Sequence, residues 1–184
     1  DGQDIVLMEK KLRMSLKLRR RHGYYYNMTD LSDKLRERLK ENNIILRGNF
    51  TLKSGNLSKI YFDVKKAYGN PEILNLICDC FYEQIDKRAT CVAASGYGGI
   101  PPAAVLASRY GFGLALIRDN YKNHGNIGMI DGYVPNREDK IIIVDDVLST
   151  GGGLIKTIEA IKKTKAEIIA CHVVILKKDA ALEV

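Results

Sequence analysis

Two adjacent carboxylates followed by a hydroxyl-bearing glycine run stand out in this sequence: Ile141-Ile-Ile-Val-Asp-Asp-Val-Leu-Ser-Thr-Gly-Gly-Gly153. Gly151, Gly152 and Gly153 let successive backbone N–H groups turn toward one point, a helix N-terminus adds about half a positive charge, and Ser149 and Thr150 supply hydroxyl donors. That combination cradles a phosphate. Asp145 and Asp146 accept hydrogen bonds and donate none, which suits them to the vicinal hydroxyls of a ribose or to a metal's water shell. A phosphate beside hydroxyl acceptors describes a ribose 5-phosphate site. A Walker A loop needs a Lys before its Ser/Thr, and none is present. The dinucleotide fingerprint fails as well, because Gly96-x-Gly98 runs into Ile100 and Pro101 where a third Gly belongs. A plain strand-to-helix turn capped by the aspartates would need neither the second acid nor the Ser-Thr-Gly-Gly-Gly run.

The surrounding pattern supplies elements to hold such a site. Leu31, Leu35 and Leu39 recur every four residues between charged positions, predicting an amphipathic helix capped by Thr29 or Asp30 and ending near Asn42-Asn43. Residues 50–52 and 60–64 read as two short strands joined by a tight turn at Lys53-Ser-Gly-Asn56. Pro71 opens a second helix whose apolar face is Ile73, Leu74, Ile77, Phe81 and Ile85. Strands are then expected at 91–94, 114–117, 141–144 and 167–176, with helices at 100–110 and 154–163. Residues 96–99 read as a loop, and 118–131 as a polar stretch carrying Gly125 and Gly128. The run 141–144 is entirely β-branched, as a central parallel strand covered on both faces requires. This alternation predicts an α/β fold, a doubly wound, mainly parallel sheet, with ligands beyond the carboxyl ends of its strands.

Length and charge narrow the class. At 184 residues the chain fits one domain with a two-sided core. A hydrophobic fraction of 46% with 28% charged residues excludes disorder, and no run approaches the roughly 18 apolar residues needed to cross a bilayer. The net charge of +7 is unevenly placed: residues 1–27 carry seven basic side chains (Lys10 to Arg21) and three acids, leaving 22 basic and 19 acidic for the rest. Asp1 opens the chain, and Met28 precedes a helix cap like a fresh start. The expected organisation is therefore a basic extension over 1–27, vector-derived or disordered, and a single domain over 28–184. A nucleic-acid or acidic-membrane arm and a degraded transit sequence are the other readings of that extension. Cys78, Cys80, Cys91 and Cys171 form no C-x-x-C pair, which suits buried free thiols in a reducing, cytoplasmic setting.

The third-strand segment resembles the phosphoribosyl pyrophosphate (PRPP) binding motif of type I phosphoribosyltransferases. Three further segments, in order, resemble the orotate phosphoribosyltransferase family: Phe50-Thr-Leu-Lys-Ser-Gly-Asn-Leu-Ser-Lys-Ile-Tyr-Phe-Asp63, Gly96-Tyr-Gly-Gly-Ile-Pro101 and Arg118-Asp-Asn-Tyr-Lys-Asn-His-Gly125. The matches run from Phe50 to Gly153. The resemblance implies a fold of that type with a small N-terminal hood of helix and hairpin. It also implies displacement of diphosphate from C1 of PRPP by N1 of orotate, giving orotidine 5'-phosphate in pyrimidine (UMP) biosynthesis. Catalysis would rest on placing charge against the departing diphosphate, with Lys122, His124 and Asp146 as the catalytic set. PRPP would be held by Arg118, Lys122, His124, Asp145, Asp146, Val147, Leu148, Ser149, Thr150, Gly151, Gly152, Gly153, Tyr97 and Gly98. Orotate would meet Lys53, Tyr61, Phe62 and Ser149, with one of the two rings facing the site because side chains alternate along a strand. Mg²⁺ is implied, held mainly through PRPP, with Asp145 and Asp146 reaching it through water. A homodimer with active sites shared between subunits is implied too, and neither a membrane nor a nucleic acid is an expected partner.

The chain departs from the family pattern in three places. Asp119 follows the motif's Arg where many members carry Lys, and Gly98 follows Tyr97 where many carry Lys, so two cations are missing near the diphosphate. Beyond the fourth parallel-type strand, the basic residue for the orotate carboxylate is reduced to Lys177 and Lys178. Base identity is therefore less firmly implied than PRPP use. The alternatives are a phosphoribosyltransferase for another base and a PRPP-sensing, nucleic-acid-binding regulator on the same fold. The regulator would bind RNA or DNA with an affinity that falls steeply with salt and is lost on removal of 1–27. For an enzyme the expected outcome is the reverse: removing 1–27 leaves the transfer rate within about twofold, measured against the full chain, because the segments that resemble the family's substrate motifs begin at Phe50.

Overall fold

The computed structural model describes residues 30–51, 55, 57–122, 128–148 and 151–176, with the backbone alone at 30 and 120–122; the basic extension over 1–27 lies outside the described residues. The elements in chain order are α1 (Asp30–Glu41), β1 (Ile45–Thr51), β2 (Leu57–Phe62), α2 (Val64–Ala67), α3 (Pro71–Gln84), β3 (Cys91–Ser95), α4 (Gly96–Tyr110), β4 (Gly113–Lys122), β5 (Gly128–Gly132), β6 (Lys140–Leu148), α5 (Gly152–Lys162) and β7 (Glu167–Leu176). β1 and β2 form an antiparallel pair of their own. The other five strands form one sheet in the order β5-β4-β3-β6-β7, parallel except for β5. This is the expected doubly wound, mainly parallel sheet.

Alternation along β6 shows why that strand is β-branched throughout. Ile142 and Val144 face α1, α3 and α4, packing with Leu35, Phe81 and Leu106. Ile141 and Ile143 face the other way, packing with Leu154, Ile158 and Ile161 of α5. All four are at most 1% exposed, and burying each contributes roughly 1.5–3 kcal/mol. The strand therefore needs two apolar faces at once. α3 begins as its sequence predicts: Pro71 stands in the first turn, and the Asn70 side chain accepts from the N–H groups of Glu72 and Ile73. All four cysteines are free and buried, and burial pushes the thiols of Cys78, Cys80 and Cys91 up to about 12.

Three expectations are corrected. The presumed loop 96–99 is the first turn of α4, because the backbone there coils directly from the end of β3. Glycine and proline spoke against a helix. Yet the first four helical N–H groups have no intrahelical acceptor in any case, and Pro101 and Pro102 free the carbonyls of Tyr97 and Gly98 rather than break the turn. The polar stretch 118–131 is largely strand, since β4 runs on to Lys122 and returns antiparallel as β5. A sheet edge tolerates such polar residues because one side of it meets solvent. Finally, the one-turn helix α2 stands where the second hairpin strand was expected to continue through Val64.

At the opposite end of the sheet from the glycine run, Asp139 ties three segments together. Its carboxylate accepts from the Thr90 hydroxyl at 2.8 Å, the Tyr133 hydroxyl at 2.9 Å and the Asn136 N–H at 2.9 Å. Burial alone would raise this carboxyl, but these donors outweigh it and hold it below the usual range. A depressed carboxyl contributes stability that is present above the unfolded carboxyl's range and is lost as pH falls through the folded one. Asp139→Ala is therefore expected to cost about 2–3 kcal/mol at pH 7 in urea unfolding, and the gap from the unaltered protein should shrink below about pH 4.

Candidate functional site

The chain leaves β3 through α4 onto one face of the sheet and leaves β6 through α5 onto the other. Where neighbouring parallel strands send their helices to opposite faces, a crevice opens beyond the strand ends, with two helix N-termini directed at it. The glycine run and Gly96–Tyr110 meet here. Gly151 precedes α5 with φ of 80°, a left-handed conformation that favours glycine, and its carbonyl accepts the first helical bond from Ile155 N–H at 2.8 Å. The first-turn N–H groups of α5 therefore point out of the helix end. The Thr157 hydroxyl donates to the Gly153 carbonyl at 3.1 Å and lies 3.0 Å from the Ser95 hydroxyl, linking α5 to the end of β3.

Asp145 and Asp146 do not end the strand, because β6 continues through both to Leu148. Strand alternation turns them to opposite faces. Asp145 lies toward the first turn of α5, its Oδ2 at 4.0 Å from the point a Cβ on Gly153 would occupy. Its carboxyl is raised to about 6, first by burial and then by the neighbouring Asp146 charge, against the opposing hydrogen bond from Asp146 N–H at 2.8 Å. Asp146 lies toward α4. A Cβ on Gly98 would stand 2.4 Å from its Oδ1, and one on Gly99 would stand 2.5 Å from the Val144 carbonyl oxygen. The two glycines let α4 approach β6 this closely, and a side chain at position 98 would have to displace the Asp146 carboxylate. Asp146 is 8% exposed, and its Oδ1 accepts from Val147 N–H at 2.8 Å.

Sequence reasoning missed two residues that complete this corner. Lys65 of α2 places its Nζ 2.6 Å from Asp146 Oδ2. Burial opposes the ammonium, but the hydrogen bond and charge of Asp146, with smaller contributions from Tyr61 and Asp145, outweigh it and hold Lys65 above its ordinary range. The Tyr68 hydroxyl donates to the Gly98 carbonyl at 2.6 Å, the carbonyl left open by Pro102. Burial, and then the charges of Asp146 and Asp145, push that phenol far up, so it stays a donor. A single helical turn shows no periodicity, which is why Val64-Lys-Lys-Ala67 gave no signal.

Other expected site residues fall as follows. Tyr97 is 86% exposed at the start of α4. Leu148 is buried against the α5 face and Val147 is half-buried against the other, so both can offer a ligand only their backbone. Phe62 packs on the core, whereas Tyr61 is exposed and meets Phe50 with ring centroids 5.5 Å apart. Of the two rings, Tyr61 is thus the available one. Arg118, expected to grip phosphate, pairs with Asp131 across the edge hairpin at 2.5 Å. Asp119 is exposed beside it. The strand pairing that brings Asp131 opposite β4 was invisible while 118–131 read as loop. Lys53, His124, Ser149, Thr150, Lys177 and Lys178 lie outside the described residues, as does the side chain of Lys122.

Comparison with known proteins agrees with this geometry. The sequence model of the phosphoribosyl transferase domain matches residues 66–184. The orotate phosphoribosyltransferase of Methanosphaera stadtmanae is 35% identical, over 85% of this chain and 88% of that protein. This chain belongs to the orotate phosphoribosyltransferase family. A second member, from Methanocaldococcus jannaschii, is 34% identical over 84% of this chain and 87% of its own length. The crystal structure of the Aeropyrum pernix orotate phosphoribosyltransferase superposes with a TM-score of 0.70 at 30% identity, covering 80% of this chain and 84% of that one. Within this family fold, Gly98 lies against the Asp146 carboxylate, and a Cβ there would require that carboxylate to shift. Gly98→Ala should therefore displace the Asp146 carboxylate and lower turnover at least tenfold, with a far-ultraviolet circular dichroism spectrum that matches the unaltered protein.

Proposed function

We propose that this enzyme transfers the 5-phosphoribosyl group from PRPP to N1 of orotate, releasing diphosphate and forming orotidine 5'-phosphate for UMP synthesis. The observation that carries the reading is the crevice between the N-termini of α4 and α5, with Asp145 and Asp146 on the strand between them. In the reaction the bond from C1 to the diphosphate oxygen breaks, a bond from C1 to N1 forms through an oxocarbenium-like transition state, and the N1 proton leaves to the departing diphosphate or to solvent. The α5 first turn, with Ser149, Thr150, Gly151, Gly152 and Gly153, takes the 5-phosphate. Asp145 and Asp146 accept from the ribose hydroxyls and lie where positive charge develops at C1. Lys122 and His124 meet the departing diphosphate, neutralising or protonating its oxygens. Tyr61 offers a face to the pyrimidine and Lys53 a charge-assisted bond to its anionic edge.

Mg²⁺ fits this donor set as an ion held through substrate oxygens. Two adjacent carboxylates are present, but no group of three potential ligands occurs among the described residues. Asp145 and Asp146 would meet its water shell, and the ion would supply charge neutralisation on the diphosphate. A homodimer, with the 118–125 segment reaching the neighbouring site, follows from the family resemblance. Four unpaired, buried thiols fit a reducing compartment such as the cytoplasm. Among the described residues no helix is long and apolar enough to cross a membrane.

The test is a panel of orotate, uracil, adenine, guanine and hypoxanthine, each with PRPP and Mg²⁺. Orotate absorbance should fall with both present and hold steady without either. Preference for a purine would assign the enzyme to another base, and PRPP binding with no transfer to any base would favour a regulator. Lys122→Ala should lower orotate turnover by roughly 10²–10⁴ with the fold intact. Unchanged turnover in that variant would remove Lys122 from the mechanism.

A further inference from the structure

The Lys65–Asp146 pair joins an exposed ammonium to a carboxylate in the crevice: the side chains are 58% and 12% exposed. Ion pairs with an exposed partner contribute little to stability, so fold maintenance is a weak reason for this contact across 81 positions of sequence. Geometry gives a stronger one. Oδ1 of Asp146 is occupied by Val147 N–H and Oδ2 by Lys65. A carboxylate accepts about four hydrogen bonds, which leaves roughly one place on each oxygen for an incoming hydroxyl. With both oxygens engaged, the plane of the carboxylate is fixed before substrate arrives.

The base of the lysine is fixed as well. Three residues on, the Tyr68 hydroxyl holds the Gly98 carbonyl, so one short segment grips both the first turn of α4 and the acid beside it. Position 98 is glycine and supplies no cation, and the Asp146 carboxylate lies against it. Arg118 is engaged with Asp131. The ammonium that meets Asp146 comes from α2, through Lys65.

We propose that Lys65 is a positioning residue for the transfer, orienting the Asp146 carboxylate toward the ribose hydroxyls from the α2 side of the crevice. The inference rests on the proposed reaction and deepens it. Because Lys65 acts through Asp146, its loss falls on PRPP rather than on the base. Lys65→Met should raise KM for PRPP about tenfold or more, leave KM for orotate within about twofold, and keep Tm within about 2 °C. Lys65→Arg, which retains the charge, should recover most of the loss. In an Asp146→Asn background, Lys65→Met should add little, because the group it orients has already changed.

Steady-state kinetics of the full chain and these variants, with PRPP and orotate each varied, reads every outcome. An unchanged KM for PRPP in Lys65→Met, with the unaltered enzyme active, would overturn the inference alone. So would a loss in the double variant equal to the product of the two single losses, since Lys65 would then act independently of Asp146. If the unaltered protein transfers nothing to orotate, the proposed reaction fails and this inference falls with it. A KM effect confined to PRPP, rescued by Arg and absorbed by Asp146→Asn, supports it.

Discussion

The contact between the Asp146 carboxylate and the first turn of α4 governs the corner of the molecule where chemistry is expected. A Cβ on Gly98 would stand 2.4 Å from Oδ1 and one on Gly99 2.5 Å from the Val144 carbonyl oxygen, so glycine at 99 is a condition for the helix to lie this close to β6. Close approach brings the positive end of α4 beside a carboxylate and leaves that carboxylate only partly wetted. A buried charge requires partners, and two bind this carboxylate while a third group holds the helix turn beside it. Val147 N–H binds one oxygen, Lys65 the other, and Tyr68 secures the helix turn through the Gly98 carbonyl. The prolines inside α4 fit the same scheme, because Pro102 leaves that carbonyl open to accept.

The two aspartates have different environments despite being neighbours. Alternation turns Asp145 to the α5 face, where burial and the adjacent charge raise its carboxyl to about 6, whereas Asp146 faces α4 and a counter-charge. A pair of acids in sequence thus becomes two distinct groups, one beside each helix end. At the sheet edge Arg118 and Asp131 neutralise each other across β4 and β5.

Much of the fold was legible because its signals are local. β6 reads as a two-faced buried strand from its own residues, and α3 from Pro71 with the apolar spacing after Asn70. The site was legible in part. The glycine run and the acid pair announce phosphate and hydroxyl chemistry by residue type alone. Lys65 and Tyr68 were not legible, since α2 is one turn long and its partners lie across the fold. β5 was hidden for a related reason: an edge strand rich in polar and glycine residues lacks the alternation that betrays a half-buried one. The first turn of α4 was hidden by glycines and prolines that ordinarily oppose helix and here occupy positions where the missing N–H groups and side chains are an advantage.

By itself the sequence determined the α/β class, the strand that carries the acids, the phosphate-cradling run and the family resemblance, because each depends on residue types a few positions apart. Tertiary structure alone decided which carboxylate meets which helix, that Arg118 is held by Asp131, that Tyr61 rather than Phe62 is available, and that Lys65 reaches Asp146. Those outcomes depend on how closely elements distant in sequence can approach, and steric exclusion at Gly98 is a property of the packed molecule that no local pattern encodes.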